Sequence, residues 1–340
     1  MSDPSGRDRD RPETQARDRW LGRILREGAV PELLDVLAER LSPADLQTLL
    51  LEVCRRRGDA VTPARLLRAY EHSRFTRPSA PDAGALTRLE SLAHRRLGRR
   101  AFTGLALSPL CPLGTVSAVT TVDQNRVVTT VRTVEVVADA TNALALECAV
   151  RRRNLLRADP RSRERVRLAA VHRVVRAQAF AAPGMAAHFA LLGLCTAGRD
   201  EGAFAFETSA LAEQIDAHLD ILRGARGLGH RIAAVRVSVT DLTAGRHRRA
   251  LRENVLERLA PAHPGVVFAF DDDRAGGGYY GGACFEIRAT TPDGDDLNLC
   301  DGGSVTWSAD LLGNAKERLI VSGLGLERLC ERFRPPGLGA

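Results

Sequence analysis

Residues 322–330 read SGLGLERLC, and they close an apolar run, ERLIV, at 317–321. Residues 317–333 together read as a strand that passes directly into a terminal helix. Gly323 and Gly325 strip the end of that strand of side chains, which suits the close approach of a flat ligand. Arg328 then offers a planar, permanently charged fork of the kind that grips phosphate. The plainer alternative is a glycine-bearing core strand followed by a surface arginine.

Upstream, "YYGGACFEIRATTPDGDDLNLC" (279–300) reads as a hairpin turning at Pro-Asp-Gly-Asp. "RIAAVRVSVTDL" (231–242) is a strand and "RRALRENVLERLA" (248–260) a helix. "SALAEQIDAHLDILRGARGLG" (209–229) is an amphipathic helix closed by glycine. "SRERVRLAAVHRVVRAQAF" (162–180) starts polar and ends as a strand, and "PGMAAHFALLGLCTAG" (183–198) returns beside it. "VVTTVRTVEVVAD" (127–139) fits one or two strands before a helix over "ATNALALECAVRRR" (140–153). "FTGLALSPLCPLGTVS" (102–117) reads as a strand entering proline-rich turns, behind a helix at 85–98. Strands joined by hairpins, with helices between them, define an α+β fold on a mostly antiparallel sheet.

The first part of the chain differs. "VPELLDVLAERL" (30–41), "SPADLQTLLLEVCRRR" (42–57) and "TPARLLRAYEHSRF" (62–75) read as about three helices, two of them opened by Ser-Pro or Thr-Pro. "TRPSAPDAG" (76–84) is a linker. The expected organisation is a disordered tail over 1–19, a helical module over 20–78, a catalytic-type domain over 79–334 and a short tail over 335–340.

The 340 residues are 44% hydrophobic, with no 18-residue apolar stretch and no signal-like N-terminus, so a cytoplasmic protein without a membrane span is expected. The seven cysteines (54, 111, 148, 195, 284, 300 and 330) form no CxxC pair, which argues against a disulfide framework or structural zinc and for small buried hydrophobes. The net charge of +7 is almost wholly arginine, Lys316 being the one lysine, and permits nucleotide or nucleic-acid partners. Scarce Tyr and Trp weaken a single-strand stacking role.

Taken in order, these segments resemble the catalytic core of class II aminoacyl-tRNA synthetases, in particular the histidyl branch, over roughly residues 85–334. The 317–333 segment resembles motif 3, whose arginine contacts the ATP γ-phosphate; here that is Arg328. The 168–198 segment resembles motif 2, where Arg176 matches the arginine that grips the α-phosphate. "YYGGACFEI" and "DGGSV" (301–305) resemble the paired-tyrosine and Gly-Gly strands of that branch. "VVADATNALALECAVRRR" (136–153) resembles the segment that lines the amino-acid pocket, and helix 85–98 with "LSPLCPL" (107–113) resembles the dimer-forming motif 1.

The resemblance implies ATP, with Mg2+, bound by Arg176, Gln178, Gly323, Gly325 and Arg328. It implies a substrate pocket built from Asp139, Thr141, Leu191, Cys195, Tyr279, Tyr280 and Glu286, with Arg274 as a third positive group near the substrate carboxylate. No dedicated metal site is expected, although Glu286 and Asp301 can be read as pocket walls or magnesium ligands. If Tyr279 and Tyr280 lie on a strand, one faces the pocket and the other the core. The plain reading of Arg274 is a loop arginine paired with the aspartates beside it, and that of Arg151–Arg153 a solvated helix end.

Departures from the family pattern shape the functional expectation. The motif 2 acid is replaced by Gln178, and the following loop "AFAAPGMAAH" (179–188) carries no Arg or Lys. Leu191 and Cys195 stand where the histidyl enzymes place acceptors for an ammonium group, which is costly to bury unpaired. The sequence ends soon after motif 3, with no anticodon-binding domain. The expected function is ATP-dependent activation of an amino acid or related carboxylate as an adenylate, with transfer to a non-standard acceptor such as a small molecule, a carrier protein or RNA. The alternatives are a non-catalytic paralog like the regulatory subunit of ATP phosphoribosyltransferase, and tRNA aminoacylation gripped by the helical module. All three imply a homodimer.

Overall fold

The computed structural model describes residues 12–120, 122–178, 186–274 and 279–334. The chain divides into two compact units, residues up to Leu66 with Val131–Thr133, and Leu67–Thr130 with Val134 onward.

The first unit holds α1 (Pro12–Glu27), α2 (Leu33–Asp35) continued by a π-turn over Val36–Arg40, and α3 (Pro43–Asp59); α4 (Pro63–His72) spans the division. Ser42 caps α3 as its sequence indicates, its Oγ accepting from Asp45 N at 3.2 Å. α1 begins at Pro12, inside the segment expected to be disordered up to about Trp20, because Leu21, Ile24 and Leu25 give it an apolar stripe. No residue of α2, α3 or α4 is buried.

The second unit opens with α5 (Ala83–Gly98), capped by Asp82, followed by β1 (Thr103–Gly104), β2 (Leu110–Pro112), α6 (Thr115–Thr120) and β3 (Val134–Val136). Next come α7 (Ala140–Ala158), β4 (Val166–Val175), β5 (His188–Arg199), α8 (Ala205–Gly227) and β6 (Ala234–Asp241). The unit is completed by α9 (Arg248–Leu251), α10 (Glu257–Leu259), β7 (Val266–Phe270), β8 (Ala283–Thr290), β9 (Asp296–Val305), α11 (Trp307–Leu312), β10 (Glu317–Leu324) and α12 (Leu326–Arg332). The eight-stranded sheet runs β1-β4-β5-β10-β9-β8-β6-β7. Every pairing is antiparallel except β1/β4 and β6/β7, so the α+β, mostly antiparallel expectation holds. Sequence reading did not anticipate α6, β7 or α11.

Side-chain alternation sorts the core into two layers. Leu192, Leu194, Ile320 and Leu324 face α5 and α8. Leu168, Ala170, Cys195, Ala197, Leu319 and Val321 face α7, which supplies Leu144, Ala145 and Cys148. The same inner face of α7 carries Arg152, one turn on from Cys148, so the expected solvated Arg151–Arg153 end needs correction. Arg152 is fully buried and makes a bidentate pair with Glu317 at 2.7 and 2.9 Å. Its remaining donors reach Glu164 O and Ser162 O. Arg151, by contrast, pairs along the surface with Glu147.

Candidate functional site

β5, β10 and β9 lie side by side, and their register puts Gly193, Gly323 and Asp301 in one row on the α7 face. Two neighbouring cavities open there. The larger, about 430 Å³, is lined by Asp139, Thr141, Arg176, Gln178, Leu191, Arg274, both tyrosines, Asp301 and Gly323, among others. The smaller, about 230 Å³, is lined by Arg176, Phe189, Leu191, Asp301, Gly323, Gly325 and Arg328, among others. Arg176, Leu191, Asp301 and Gly323 form the shared wall.

Arg176 leaves the end of β4. Its Nε donates to Ala138 O and its Nη2 to Asp139 Oδ2, both at 3.2 Å, and its guanidinium lies 5.1 Å from the Phe189 ring centroid. Asp139 serves two ends at once. Its Oδ1 caps α7 by accepting from Thr141 N (2.9 Å) and Thr141 Oγ1 (2.8 Å), while Oδ2 holds Arg176. Arg328 stands exposed at the mouth of the smaller cavity, and its hydrogen bond goes to a neutral carbonyl, Asn298 O, at 2.7 Å. Partial burial, and then the charges of Arg176 and Arg332, push its pKa down. Among the described residues no carboxylate neutralises it.

Arg274 is turned away from the aspartates beside it. Its Nη2 donates to Asp301 Oδ2 and its Nη1 to Phe285 O, both at 3.2 Å. Burial raises the pKa of Asp301, against the pull of Arg274, although 44% of the side chain stays accessible because it opens into the cavity. Tyr279 and Tyr280 lie ahead of β8, not on it, so the alternation expected of a strand does not apply to them. Both line the cavity, packed edge to face at 4.8 Å, and Tyr279 meets Trp307 in the same way at 5.5 Å. Burial drives both phenol pKa values well above the ordinary range. Gly303 permits this arrangement, since a Cβ there would sit 2.7 Å from Tyr280 Cδ1 and from Ala283 O.

Two expected pocket residues lie elsewhere. Cys195 is buried beneath the cavity, its thiol donating to Thr141 O at 3.5 Å. Glu286 is drawn off by Arg288 at 2.8 Å and does not line either cavity. Gln178 lines the larger cavity, and its carbonyl accepts from Arg74 Nη1 at 2.7 Å. The 179–185 loop lies outside the described residues.

Sequence reasoning missed Glu135, a fully buried carboxylate. Glu135 accepts from Gly114 N (2.9 Å), Val116 N (3.0 Å) and Gln124 Nε2 (2.5 Å), and so fastens α6 and the 124–126 turn against β3. Those elements carry Val116, Thr120 and Arg126 onto the cavity wall. It also missed Asn142, 5% exposed, whose Oδ1 has no partner among the described residues. No local pattern marks either residue. Magnesium finds no cage, since no group of three or more His, Cys, Asp or Glu side chains converges among the described residues. No helix among them is long and apolar enough to cross a membrane.

This fold is that of the class II aminoacyl-tRNA synthetase catalytic core. The chain is similar to apo histidyl-tRNA synthetase from S. aureus (TM-score 0.58, 18% identity, 79% of this chain and 71% of that one). It is also similar to an ATP phosphoribosyltransferase regulatory subunit/histidyl-tRNA synthetase from Bacillus halodurans (TM-score 0.55, 16% identity, 76% and 81%). A third similar structure is the RNA binding domain of threonyl-tRNA synthetase from Cryptosporidium parvum (TM-score 0.55, 12% identity, 78% and 67%). No family profile and no curated protein sequence matches the chain.

Proposed function

We propose that this chain binds ATP in the smaller cavity and a small carboxylate in the larger one, and joins them as an acyl-adenylate. The observation that carries the reading is the placement of Arg176 and Arg328 on one cavity, Arg328 without a neutralising carboxylate among the described residues. Two fixed guanidinium forks around a concave site favour a polyphosphate. Phe189, beneath the Arg176 guanidinium, offers a flat face to a base, and Gly323 and Gly325 keep the strand end open to it.

ATP supplies the electrophilic α-phosphorus and pyrophosphate as leaving group. The chain's own residues orient and neutralise. Arg176, aimed by Asp139 and Ala138 O, sits on the wall common to both cavities, where the carboxylate oxygen and the α-phosphate would meet. Arg328 takes charge on the departing phosphates. Glu286 and Asp301 are engaged by arginines, so no step is assigned to a protein-held metal; magnesium would enter on the nucleotide's phosphates. The reading carries with it a homodimer and an acyl acceptor outside the usual set, and places the helical module at 20–78 as the grip on a partner.

A binding-only reading, as a regulatory paralog, has one observation in its favour. Arg176 and Arg274 are already paired with Asp139 and Asp301, so these two guanidiniums are engaged in holding the shape of the larger cavity and not left free for chemistry. ATP–pyrophosphate exchange with magnesium separates the two. The test covers the twenty amino acids, other small carboxylates and a blank, with Arg328→Ala as control. Exchange that depends on one carboxylate and falls in the variant supports activation; absence of exchange across the panel sinks it.

A further inference from the structure

The larger cavity carries more positive charge than its carboxylates neutralise. Arg176 is matched by Asp139 and Arg274 by Asp301. A third arginine lining the same cavity, Arg126, is matched by no carboxylate among the described residues. It ends the short 3₁₀ turn Gln124–Arg126, which Asp123 caps and Glu135 holds through Gln124. Its carbonyl accepts from Ala177 N at 3.0 Å, which fixes its backbone beside Arg176. Its guanidinium lines the cavity and has no hydrogen bond or ion pair among the described residues.

Asn142 is the second, independent observation. It lines the same cavity, is 5% exposed, and its Oδ1 is unpartnered. A buried amide oxygen without a partner is costly unless a ligand supplies a donor. Arg126 lines only the larger cavity, so the nucleotide's phosphates are not its natural counter-ion in this arrangement.

We propose that the carboxylate received by the larger cavity bears a second anionic group, which seats on Arg126, and an N–H or O–H donor, which Asn142 accepts. The ligand class is a small polar dianion, a hydroxy- or amino-substituted dicarboxylate or a phosphorylated carboxylate. The proposal rests on reading this cavity as the acyl-substrate site, and it makes Arg126 the residue that sets specificity.

The test is equilibrium binding without ATP, so its outcome is independent of whether adenylation occurs. The full chain is titrated calorimetrically with matched pairs, glutamate against glutamine, aspartate against asparagine, malate against 3-hydroxybutyrate and phosphoserine against serine. At least one dianion should bind about tenfold or more tightly than its neutral isostere, the increment of a charge-assisted contact. Arg126→Gln should erase that preference and leave the neutral member's Kd within about twofold. Asn142→Ala should weaken both members of the pair alike. Preference for glutamate or aspartate identifies the second anion as carboxylate, and preference for phosphoserine as phosphate. Equal binding of both members, an unchanged preference in Arg126→Gln, or no binding by any of them overturns the proposal. Selective binding without pyrophosphate exchange leaves it standing while refuting the adenylation reading.

Discussion

Replacing Arg328 by Ala isolates the phosphate-binding claim because the side chain contributes so little to the fold. Its intramolecular bond is to Asn298 O, a neutral acceptor, and its neighbours in charge are Arg176 and Arg332, which repel it. One such hydrogen bond is worth about 0.5–1.5 kcal/mol net, and the relieved repulsion offsets part of that. Stability should therefore change by less than about 1 kcal/mol. Toward a bound polyphosphate the same residue would make a charge-assisted contact worth about 1.5–3 kcal/mol, equivalent to about a 10- to 150-fold loss of affinity. The assay is calorimetric titration of ATP into wild type and Arg328→Ala, with thermal unfolding of both measured in parallel. An unchanged melting temperature with affinity lowered in that range is expected. Affinity within about twofold of wild type, at unchanged stability, would refute the assignment of Arg328 to phosphate.

Arg152→Ala should behave in the opposite way, losing about 3–5 kcal/mol of stability because Glu317 is left charged and buried; a chemical denaturation midpoint near wild type would contradict the pairing. Gly303→Ala should cost about 1–3 kcal/mol through overpacking against Tyr280 and Ala283 O, visible as a lower denaturation midpoint and weaker binding in the larger cavity. His218 supplies a pH signature. Burial holds its pKa at about 3 in the folded chain, against 6.5 as its ordinary value. Its contribution is therefore complete above pH 6.5 and is lost as pH falls toward 3, because the unfolded chain takes up the proton first. Between pH 7.5 and 5 wild type should lose about 2 kcal/mol more than His218→Gln, and parallel pH profiles would show that the imidazole is not held neutral.

The features legible in the sequence were those written in local pattern. The strand at the end of 162–180 and its return in 183–198, the Pro-Asp-Gly-Asp turn and the strand-to-helix step at 317–333 all rest on contacts between near neighbours, and all three stand in the structure. Arg176 and Arg328 were singled out by the resemblance of their segments to motifs 2 and 3, with the glycines before Arg328 as the one local sign. What escaped depends on distant partners. Arg152 looks like part of a basic surface run until α7 is laid on β10 and Glu317 arrives from 165 residues away. Glu135 reads as one acid in a β-branched stretch, yet the donors it collects come from turns whose path no local signal fixes. Tyr279 and Tyr280 turned to one side because Gly281 and Gly282, with φ +108° at Gly282, part them from β8. Arg126 and Asn142 became visible only through what they lack, which is a property of the folded cavity.

The central claim is acyl-adenylate formation, and trapping the activated acyl group tests it most directly. ATP, magnesium and a pool of small carboxylates would be incubated with the full chain in the presence of hydroxylamine, with the nucleotide products followed by phosphorus NMR and the hydroxamate by mass spectrometry. The account predicts AMP and pyrophosphate formed in equal amounts, one hydroxamate per AMP, and loss of all three in Arg176→Ala and Arg328→Ala. ADP and phosphate as products, or intact ATP alongside a ligand that still binds the larger cavity, would contradict it.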